Sequence, residues 1–494
     1  MPNNPPLASA TSLALDFHEV LMSSAFFSSG LNETIVCYDL FYRPAPETGG
    51  FCIMAGLEQI VKNILNFKLS ASDLEWLKDK GLSADFLKYL ESFKFSCDIY
   101  SVPEGTPVFP GEPIMMIKGP ASQAKLIESL IISAVGKQML IATKANRMAR
   151  AAHGRKVIEC GAKRENGLEA SLYAARAAYI GGCSGTTFTA AAKEFSIPLY
   201  GSMTNSWIQM FDTELDAFCA YARAYPDDCV LLIDTYDVLN SGIKNAIEAF
   251  RREIVPRGSR PKGVRIDSGD LAYLSKKVRR ILNDEGFPDC DIIVSNSLDE
   301  HIIKDMLQNG ARVDCFMAGS RLVSSSSAPI LPLVYKLVAV EDNGRLIPKI
   351  KISENVSKIT NPGAKTFWRF FDRETGKALA DVLALEHEII NDDEPYELFD
   401  PDFVWKRKNV QDFVARKMLV QVFSKGELVY SLPTASEIRA YCADQIDCLW
   451  EEVLRFENPH KYYVDLSQKL WDLKQSLISK YSGVKYGSAK GGEA

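Results

Sequence analysis

The chain has 494 residues, of which 47% are hydrophobic and 24% are charged, so it is long enough for two or three domains with their own cores. The net charge of −6 argues against a nucleic-acid-binding protein. The eleven cysteines form no CxxC pair, which predicts free thiols in a reducing compartment. The five histidines show no metal-ligand spacing, which argues against a structural zinc site.

The N-terminal residues lack the basic and apolar regions of a signal peptide. No apolar run approaches the ~20 residues that a membrane span needs. We therefore expect a cytoplasmic protein with no membrane contact.

The first part of the chain mixes helical and strand patterns. Helical patterns occupy residues 13–29 and 55–65, strand patterns occupy 37–43 and 95–117, and a long helical pattern covers 122–152. These patterns predict an α+β N-terminal domain that leads through a helix into a second domain.

From residue 156 onward, short apolar runs end in small or acidic residues and alternate with helical stretches. The runs are 156–161, 197–201, 230–234, 263–267, 291–296, 313–319 and 333–338. This alternation predicts an α/β fold with a parallel sheet. Six or seven such units favour a barrel over an open sheet, and no GxGxxG motif follows a first strand. The predicted domains are 1–140 (α+β), 141–345 (the α/β barrel with the active site) and 346–494 (a C-terminal region that packs on the N-terminal domain and ends in helices).

Polar residues stand where several of these predicted strands end, and an α/β barrel carries its active site at that edge. They are Asp234, Asp237, Arg265, Asp267, Asp270, Ser295, Asn296, Gly319 and Ser320. Carboxylates in such positions suit Mg²⁺, and a Gly-Ser turn can bind a phosphate. A single strand-end aspartate is more often a helix N-cap, but repetition on several strands predicts a functional site.

Many segments closely resemble nicotinate phosphoribosyltransferases, in order and with similar spacing, over roughly residues 13 to 375. They include YDLFYR (38–43), VPEGTPVFPGEP (102–113), LLIDTYD (231–237), GVRIDSGDLAYLSKKVRRIL (263–282), SNSLDE (295–300) and KISENVSKITNPGAKTFWRFFD (351–372). The resemblance implies the type II phosphoribosyltransferase fold, in which an irregular α/β barrel accompanies an α+β domain built from N- and C-terminal parts.

The resemblance also implies a reaction in NAD biosynthesis. Nicotinate and 5-phosphoribosyl 1-pyrophosphate give nicotinate mononucleotide and pyrophosphate. The usual enzymes couple this transfer to ATP through a phosphorylated histidine. They are homodimers whose active sites include residues of both subunits.

The resemblance assigns roles to matching positions. Asp234 and Asp267 are expected near Mg²⁺ and the ribose diphosphate, as catalytic and metal-binding residues. Arg265 is expected to bind the nicotinate carboxylate, which suits a planar guanidinium. The other expected substrate-binding residues of this half of the site are Lys163, Arg164, Asn296, Gly319 and Ser320.

Departures from the family pattern fall in the same site. The phosphohistidine position of the family's GTHAHSW motif is Asn205, which we retain as a catalytic candidate although an amide can be neither phosphorylated nor a base. ATP coupling is therefore not expected. His18 replaces the tyrosine and Cys160 the phenylalanine that flank the pyridine ring in the family. Thr187 and Phe188 follow the YIGG motif, where Phe188 could supply aromatic surface.

Three alternatives to nicotinate transfer stay open. The altered pocket is compatible with a different base for the same chemistry, or with a catalytically silent paralogue that binds a ligand. A metal-dependent aldolase-type barrel is weaker, since Lys336 is the nearest candidate for a Schiff-base lysine.

Overall fold

The computed structural model describes residues 13–355, 358–401 and 403–482. The chain divides into two compact units. Unit 1 combines Met1–Lys137, Ile330–Pro433 and Asp444–Ala494, and unit 2 combines Gln138–Pro329 and Thr434–Ala443. One unit is therefore assembled from both ends of the chain, and the middle of the chain forms most of the other. The three predicted domains, with their boundaries, stay a prediction.

The helices are α1 (Phe17–Ser28), α2 (Leu57–Leu65), α3 (Ala71–Asp79), α4 (Ala84–Glu91), α5 (Ala121–Leu126), α6 (Glu128–Ala151), α7 (Leu168–Ile180), α8 (Thr189–Phe195), α9 (Asn205–Ile208), α10 (Glu214–Ala224), α11 (Ile243–Ala249), α12 (Leu271–Asp284), α13 (Glu300–Gln308), α14 (Ser320–Val323), α15 (Ala435–Asp447) and α16 (Gln468–Ser482). Helices α6 and α15 contribute residues to both units.

The strands are β1 (Ile35–Tyr42), β2 (Cys52–Ile53), β3 (Asp98–Ser101), β4 (Pro107–Val108), β5 (Met115–Pro120), β6 (Lys156–Glu159), β7 (Gly185–Thr186), β8 (Val230–Leu232), β9 (Gly263–Ile266), β10 (Asp291–Ser295), β11 (Cys315–Ala318), β12 (Leu333–Asp342), β13 (Arg345–Pro348), β14 (Lys365–Asp372), β15 (Ala378–Leu385), β16 (Tyr396–Phe399), β17 (Arg407–Val410), β18 (Phe413–Lys417), β19 (Val420–Ser424), β20 (Glu427–Leu428) and β21 (Val464–Leu466).

Unit 1 contains a seven-stranded sheet of order β13-β12-β1-β5-β3-β19-β20 and a four-stranded sheet of order β18-β14-β15-β21. Ion pairs are buried in its core. Lys365 on β14 pairs with Asp39 on β1. Arg369, also on β14, donates through Nε and Nη2 to the two carboxylate oxygens of Asp381 at 2.8 and 2.6 Å. Tyr462 donates a further hydrogen bond to Asp381 at 3.0 Å, so this buried carboxylate is well compensated.

Unit 2 contains a six-stranded parallel sheet of order β7-β6-β11-β10-β9-β8. Arg265 on β9 lies between Leu232 on β8 and Ile293 on β10. Because the strands are parallel, their carboxyl ends meet at one edge of the sheet. The predicted α/β class is confirmed, while the predicted closure of this sheet into a barrel stays a prediction.

Two runs that the sequence analysis counted with this sheet behave differently. Residues 333–338 belong to β12, which pairs antiparallel with β1 in unit 1. In the run 197–201, Leu199 forms only an isolated bridge with Thr186. Both runs are short and apolar, and periodicity alone does not tell a parallel strand from an antiparallel one or from an extended loop.

A glycine determines how closely the backbone packs behind the carboxyl end of β8. Gly242 ends a helical turn that begins at Val238, and its backbone N–H donates to the carbonyl of Asp237 at 2.7 Å. A β-carbon added at Gly242 would overlap the carbonyl oxygen of Ile233. Ile233 directly precedes Asp234, so the close approach positions that aspartate.

One helical run of the described residues, Ala121–Ala151, is long and apolar enough to cross a membrane by length and composition, contrary to the sequence-based expectation that no run would be. Of its most apolar window, 67% is buried in the structure. This burial is typical of a core helix.

Arg369→Gln should lower the free energy of unfolding by about 3–5 kcal/mol, because Asp381 would be left as a buried, unpaired charge. Urea denaturation followed by circular dichroism measures the change. The matched control is Arg345→Gln, which alters an exposed arginine of the same unit and should change stability by less than about 0.5 kcal/mol. Equal effects of the two substitutions would contradict the importance of the buried pair.

Gly242→Ala should destabilise the protein by about 1–3 kcal/mol, because the backbone at Ile233 must shift to admit the methyl group. This cost outweighs the gain of about 1 kcal/mol that alanine normally gives in a helix. The control is Gly201→Ala, since an added β-carbon there meets no atom within 4 Å. The same denaturation measurement applies, and a neutral or stabilising Gly242→Ala would refute the close packing.

Candidate active site

Two of the predicted aspartates are joined at the carboxyl edge of the parallel sheet of unit 2. Asp234 follows β8 and Asp267 follows β9. Oδ2 of Asp234 accepts hydrogen bonds from the backbone N–H of Asp267 at 2.8 Å and from Oγ of Ser268 at 2.7 Å. The chain that leaves β9 is thereby tied to the end of β8, and the two carboxylates are kept close together.

Arg265 connects three further groups at this edge. Its Nε donates to Oγ of Ser295 at 3.0 Å and its Nη1 to Oγ of Ser202 at 3.4 Å. Its Nη2 donates to Oδ1 of Asp267 at 3.3 Å, and that oxygen also accepts a short hydrogen bond from Ser295. A guanidinium carries five N–H donors, so one N–H on each terminal nitrogen has no partner among the described residues.

The other two strand-end aspartates are helix caps. Asp237 accepts hydrogen bonds from the backbone N–H groups of Leu239 and Asn240 at 2.9 and 2.7 Å. The hydrogen bonds from Asn240 lower the pKa of the exposed Asp237 carboxyl. Asp270 accepts from the backbone of Tyr273 at 2.9 Å at the start of α12. Asp237 and Asp270 therefore have a capping role, whereas Asp234 and Asp267 cap no helix and are the stronger candidates for binding a ligand.

The same two carboxylates fit Mg²⁺. Both side chains are half-buried. Oδ1 of Asp234 and Oδ2 of Asp267 accept no hydrogen bond from the part of the chain that the structure describes. Mg²⁺ is commonly held by one or two carboxylates together with waters and substrate phosphates, which matches two free oxygens at an open edge.

Cys160 follows β6 and lies next to the turn at Gly319. Its backbone N–H donates to Ala318 at 2.8 Å, and a β-carbon added at Gly319 would lie 3.6 Å from its sulfur. Burial raises the pKa of the Cys160 thiol to about 12, and the charges of Arg265 and Asp267 act on it in opposite directions. The thiol is therefore protonated at neutral pH, which argues against a role as a nucleophile.

Glu159, the last residue of β6, forms hydrogen bonds that stabilise the chain next to Cys160. Sequence reasoning missed this role. It is 1% exposed. Its carboxylate accepts hydrogen bonds from the backbone of Gly161 and, at 2.5 Å, from Oγ1 of Thr186. Burial raises the pKa of Glu159. These bonds hold the beginning of the loop after β6 and the end of β7 in fixed positions relative to each other.

The cations and hydroxyls expected near phosphates are exposed. Lys163 and Arg164 lie on the short helical turn Ala162–Arg164 that follows β6. Neither forms an ion pair with any residue in the described ranges. Ser320 begins the single turn α14 after Gly319 and is also exposed. All three side chains are therefore accessible to an anionic ligand.

Asn205 is the first residue of α9, and Asn296 lies in the loop after β10 of the same unit. Oδ1 of Asn205 accepts a hydrogen bond from Oγ1 of Thr235, the residue after Asp234, at 3.1 Å. Asn296 directly follows β10 with a φ of 99°, and Ser297 has a φ of 48°. Consecutive non-glycine residues in this region of backbone space are uncommon and tend to occur at functional sites.

Thr187 and Phe188 follow β7. The backbone N–H of Thr187 donates to the carbonyl of Glu159 at 2.9 Å. The ring of Phe188 packs against a hydrophobic cluster that contains Tyr179, Phe195 and other residues of α7 and α8. Its aromatic surface is thus partly used in the core of unit 2.

His18 belongs to unit 1, not to the sheet of unit 2. It lies in the first turn of α1, where its backbone N–H donates to the N-cap Asp16 at 3.3 Å. Its Nδ1 is 2.7 Å from the same carboxylate. Its predicted position beside a substrate ring stays a prediction.

Sequence reasoning found the charged residues of the site and Ser295, but not the other hydroxyls that contact them. Ser202, Thr235 and Ser268 are common residue types in loops, and nothing in their spacing marks them. Ser295 was predicted, because it ends an apolar strand in the same way as the aspartates do.

Comparisons with known proteins agree on one family. Residues 13–136 match the N-terminal domain model and residues 364–474 the C-terminal domain model of nicotinate phosphoribosyltransferase. The chain is 39% identical to the nicotinate phosphoribosyltransferase of Bacillus subtilis (strain 168) over 470 residues, which cover 94% of this chain and 95% of the relative. It is 31% identical to that of Dictyostelium discoideum over 524 residues, with 94% and 88% covered.

Solved structures give the same result. The human nicotinic acid phosphoribosyltransferase superimposes with a TM-score of 0.83 at 25% identity, covering 94% of this chain and 99% of that one. Nicotinate-nucleotide pyrophosphorylase from Pyrococcus furiosus, at 21% identity and a TM-score of 0.69, covers 90% and 97% and shows the same fold. With relatives of 39% and 31% identity matched over nearly its whole length, the chain belongs to the nicotinate phosphoribosyltransferase family.

Proposed function

We propose that this protein transfers the phosphoribosyl group of 5-phosphoribosyl 1-pyrophosphate to nicotinate, forming nicotinate mononucleotide and pyrophosphate for NAD biosynthesis, without ATP coupling through a phosphohistidine. The proposal includes a cytoplasmic homodimer, as the family resemblance implies. The observation that carries it is the guanidinium of Arg265 at the sheet edge, beside Asp234 and Asp267.

Arg265 is suited to bind the carboxylate of the base. Its side chain is 18% exposed, so an ion pair formed there is partly shielded from water. Three of its N–H groups are used by Ser295, Ser202 and Asp267, which hold the plane in one orientation. The remaining N–H on each terminal nitrogen can donate to the two oxygens of one carboxylate, the bidentate arrangement that arginine favours.

Lys163, Arg164 and Ser320 supply the phosphate-binding side of the site. The two cations are exposed and have no ion-pair partner among the described residues. They can therefore bind a pyrophosphate without first breaking an ion pair within the protein. Asp234 and Asp267 would hold Mg²⁺, which neutralises negative charge on the phosphates when it is bound.

The transfer itself requires no proton movement. The lone pair of the pyridine nitrogen forms a bond to C1 of the ribose. The bond from C1 to the pyrophosphate oxygen breaks, and the leaving group takes the electron pair. The ribosyl group becomes positively charged in the transition state, which nearby carboxylates stabilise, while the cations stabilise the departing pyrophosphate.

Asn205 does not prevent this chemistry. Its amide accepts a hydrogen bond from Thr235 and can be neither phosphorylated nor a general base. The step described above needs neither property. What the asparagine removes is the route by which ATP hydrolysis could drive the reaction towards mononucleotide.

Arg265→Lys should raise the KM for nicotinate by roughly 10- to 100-fold, because a lysine cannot make the bidentate contact and each charge-assisted hydrogen bond contributes about 1.5–3 kcal/mol. The KM for the ribosyl donor should change much less. Steady-state assays with purified protein, donor, Mg²⁺ and nicotinate measure both constants, and Arg251→Lys on an exposed surface of unit 2 is the control.

The same assay should be run with nicotinamide, which has the ring but lacks the carboxylate, and with other pyridine and pyrimidine acids. The wild type should strongly prefer an acid over the amide, and Arg265→Lys should reduce that preference. Product from another acid but none from nicotinate would point to a different base. Donor binding without any product would point to a silent paralogue.

ATP should change neither the rate nor the yield of mononucleotide, and no ADP should form in proportion to product, because Asn205 cannot carry a phosphoryl group. Chromatography of reactions with and without ATP gives both quantities. One ADP released for each mononucleotide formed would contradict the proposed lack of coupling while leaving the transfer reaction intact.

A further inference from the structure

A cluster of potential metal ligands lies in unit 1, where α1 meets the beginning of α6. His18, Glu19 and Glu128 each offer one ligand atom, and these atoms lie within 4.8 Å of one another. Glu128 is 110 residues from His18 in sequence. The group was therefore not visible as a spacing motif, although it combines the imidazole and carboxylate ligands that Zn²⁺ accepts.

Glu19 is the most unusual member of the cluster. It is 1% exposed, and its Oε1 accepts a single hydrogen bond from Oγ of Ser129 at 2.7 Å. Oε2 is buried and accepts no hydrogen bond from any described residue. A buried carboxylate oxygen without a partner is costly, and a cation among the three ligands would satisfy it.

His18 has a carboxylate beside one of its two ring nitrogens. Its Nδ1 lies 2.7 Å from Oδ1 of Asp16, which leaves Nε2 for a cation. A carboxylate bound to the second nitrogen is the common arrangement around zinc-ligating histidines, because it fixes the ring and raises its basicity. Ser129 links Asp16 to Glu19, because its hydroxyl donates to Glu19 and accepts a hydrogen bond from the backbone N–H of Asp16 at 3.2 Å.

Lys125 opposes a cation in this place. Its ammonium forms a short ion pair with Oε2 of Glu128, and both side chains are largely buried, with 9% and 16% exposed. It partly neutralises the two glutamates and repels a second cation. Oε1 of Glu128 remains as a ligand, and the side chain of His18, which is 55% exposed, leaves one side of the cluster open to water.

We propose that His18, Glu19 and Glu128 form a Zn²⁺ site that links α1 to α6 within unit 1, with Asp16 as the group that orients His18 and Lys125 as a competing cation. The site shares no residue with the carboxylate pair Asp234 and Asp267, and Zn²⁺ binding is measured without substrates. His18 is the one member to which the family resemblance also gives a place beside the pyridine ring. With three protein ligands and an open side, its fourth ligand is water.

Zn²⁺ alone is the probe, titrated into the full-length protein without substrates and followed by calorimetry. The wild type should bind one Zn²⁺ per chain at this site, and His18→Ala and Glu19→Gln should each weaken binding by at least about tenfold. Glutamine keeps the size of Glu19 and can still accept the hydrogen bond from Ser129, so folding is preserved. Asp16→Asn should weaken binding by about 10- to 100-fold.

Lys125→Met gives a test in the opposite direction. Removing the competing ammonium should tighten Zn²⁺ binding, whereas a general disturbance of the cluster would weaken it. His387→Ala, which changes an exposed histidine of the same unit, should bind as the wild type does. Asp267→Asn should also bind normally, which separates this site from the one proposed for Mg²⁺.

Two further measurements identify the ligands. Zn²⁺ should raise the thermal midpoint of the wild type but not that of His18→Ala, because a ligand that binds only the folded state stabilises it. Co²⁺ bound in place of Zn²⁺ should show no thiolate charge-transfer band, since the proposed ligands include no cysteine. Unchanged Zn²⁺ affinity in His18→Ala and Glu19→Gln, absence of binding by the wild type, or a thiolate band would each overturn the proposal.

Discussion

The orientation of the Arg265 guanidinium is the constraint on which the site depends. An arginine on a strand can adopt many rotamers, and an unrestrained one would lose about 2 kcal/mol of side-chain entropy on binding a ligand. Here Ser202, Ser295 and Asp267 each accept a hydrogen bond from one N–H of the guanidinium. The side-chain entropy is therefore lost when the protein folds and not when the ligand binds. The parallel sheet makes this possible, because it brings the ends of β9 and β10 to the same edge.

Hydrogen bonds also fix the positions of the two carboxylates, as they fix the guanidinium of Arg265. Asp234 accepts hydrogen bonds from Asp267 and Ser268, while Gly242 lets a helical turn approach the backbone just before Asp234. Two negative groups close together repel each other, and the hydrogen bonds offset this repulsion without occupying every oxygen. The result is a pair of anions fixed near a cation that keeps two N–H groups without a partner among the described residues.

The strand ends at the carboxyl edge of the parallel sheet could be predicted because their sequence pattern is local. An apolar run followed by an aspartate marks the end of a strand, and parallel strands end together. The strand pattern alone does not separate Asp234 from Asp237, since both follow the same strand. The family resemblance singles out Asp234, and the structure shows Asp237 accepting the cap hydrogen bonds of Leu239 and Asn240. The strand pattern misplaced residues 333–338 because strand pairing depends on contacts far away in sequence. The association of His18 with Glu128 was hidden for the same reason.

In the proposed reaction, Asn205 can replace the family's histidine while Asp234, Arg265 and Asp267 keep the family pattern at the carboxyl edge of the sheet. Bond formation at the ribose needs a positioned base, a neutralised leaving group and a stabilised ribosyl cation. The proposed groups are Arg265 on β9, the two aspartates that follow β8 and β9, and the two cations that follow β6. ATP coupling needs a residue that can be phosphorylated, and Asn205 lies at the start of α9, where its side chain accepts a hydrogen bond from Thr235. Because the two tasks use different residues, a substitution can remove the coupling without disturbing the transfer.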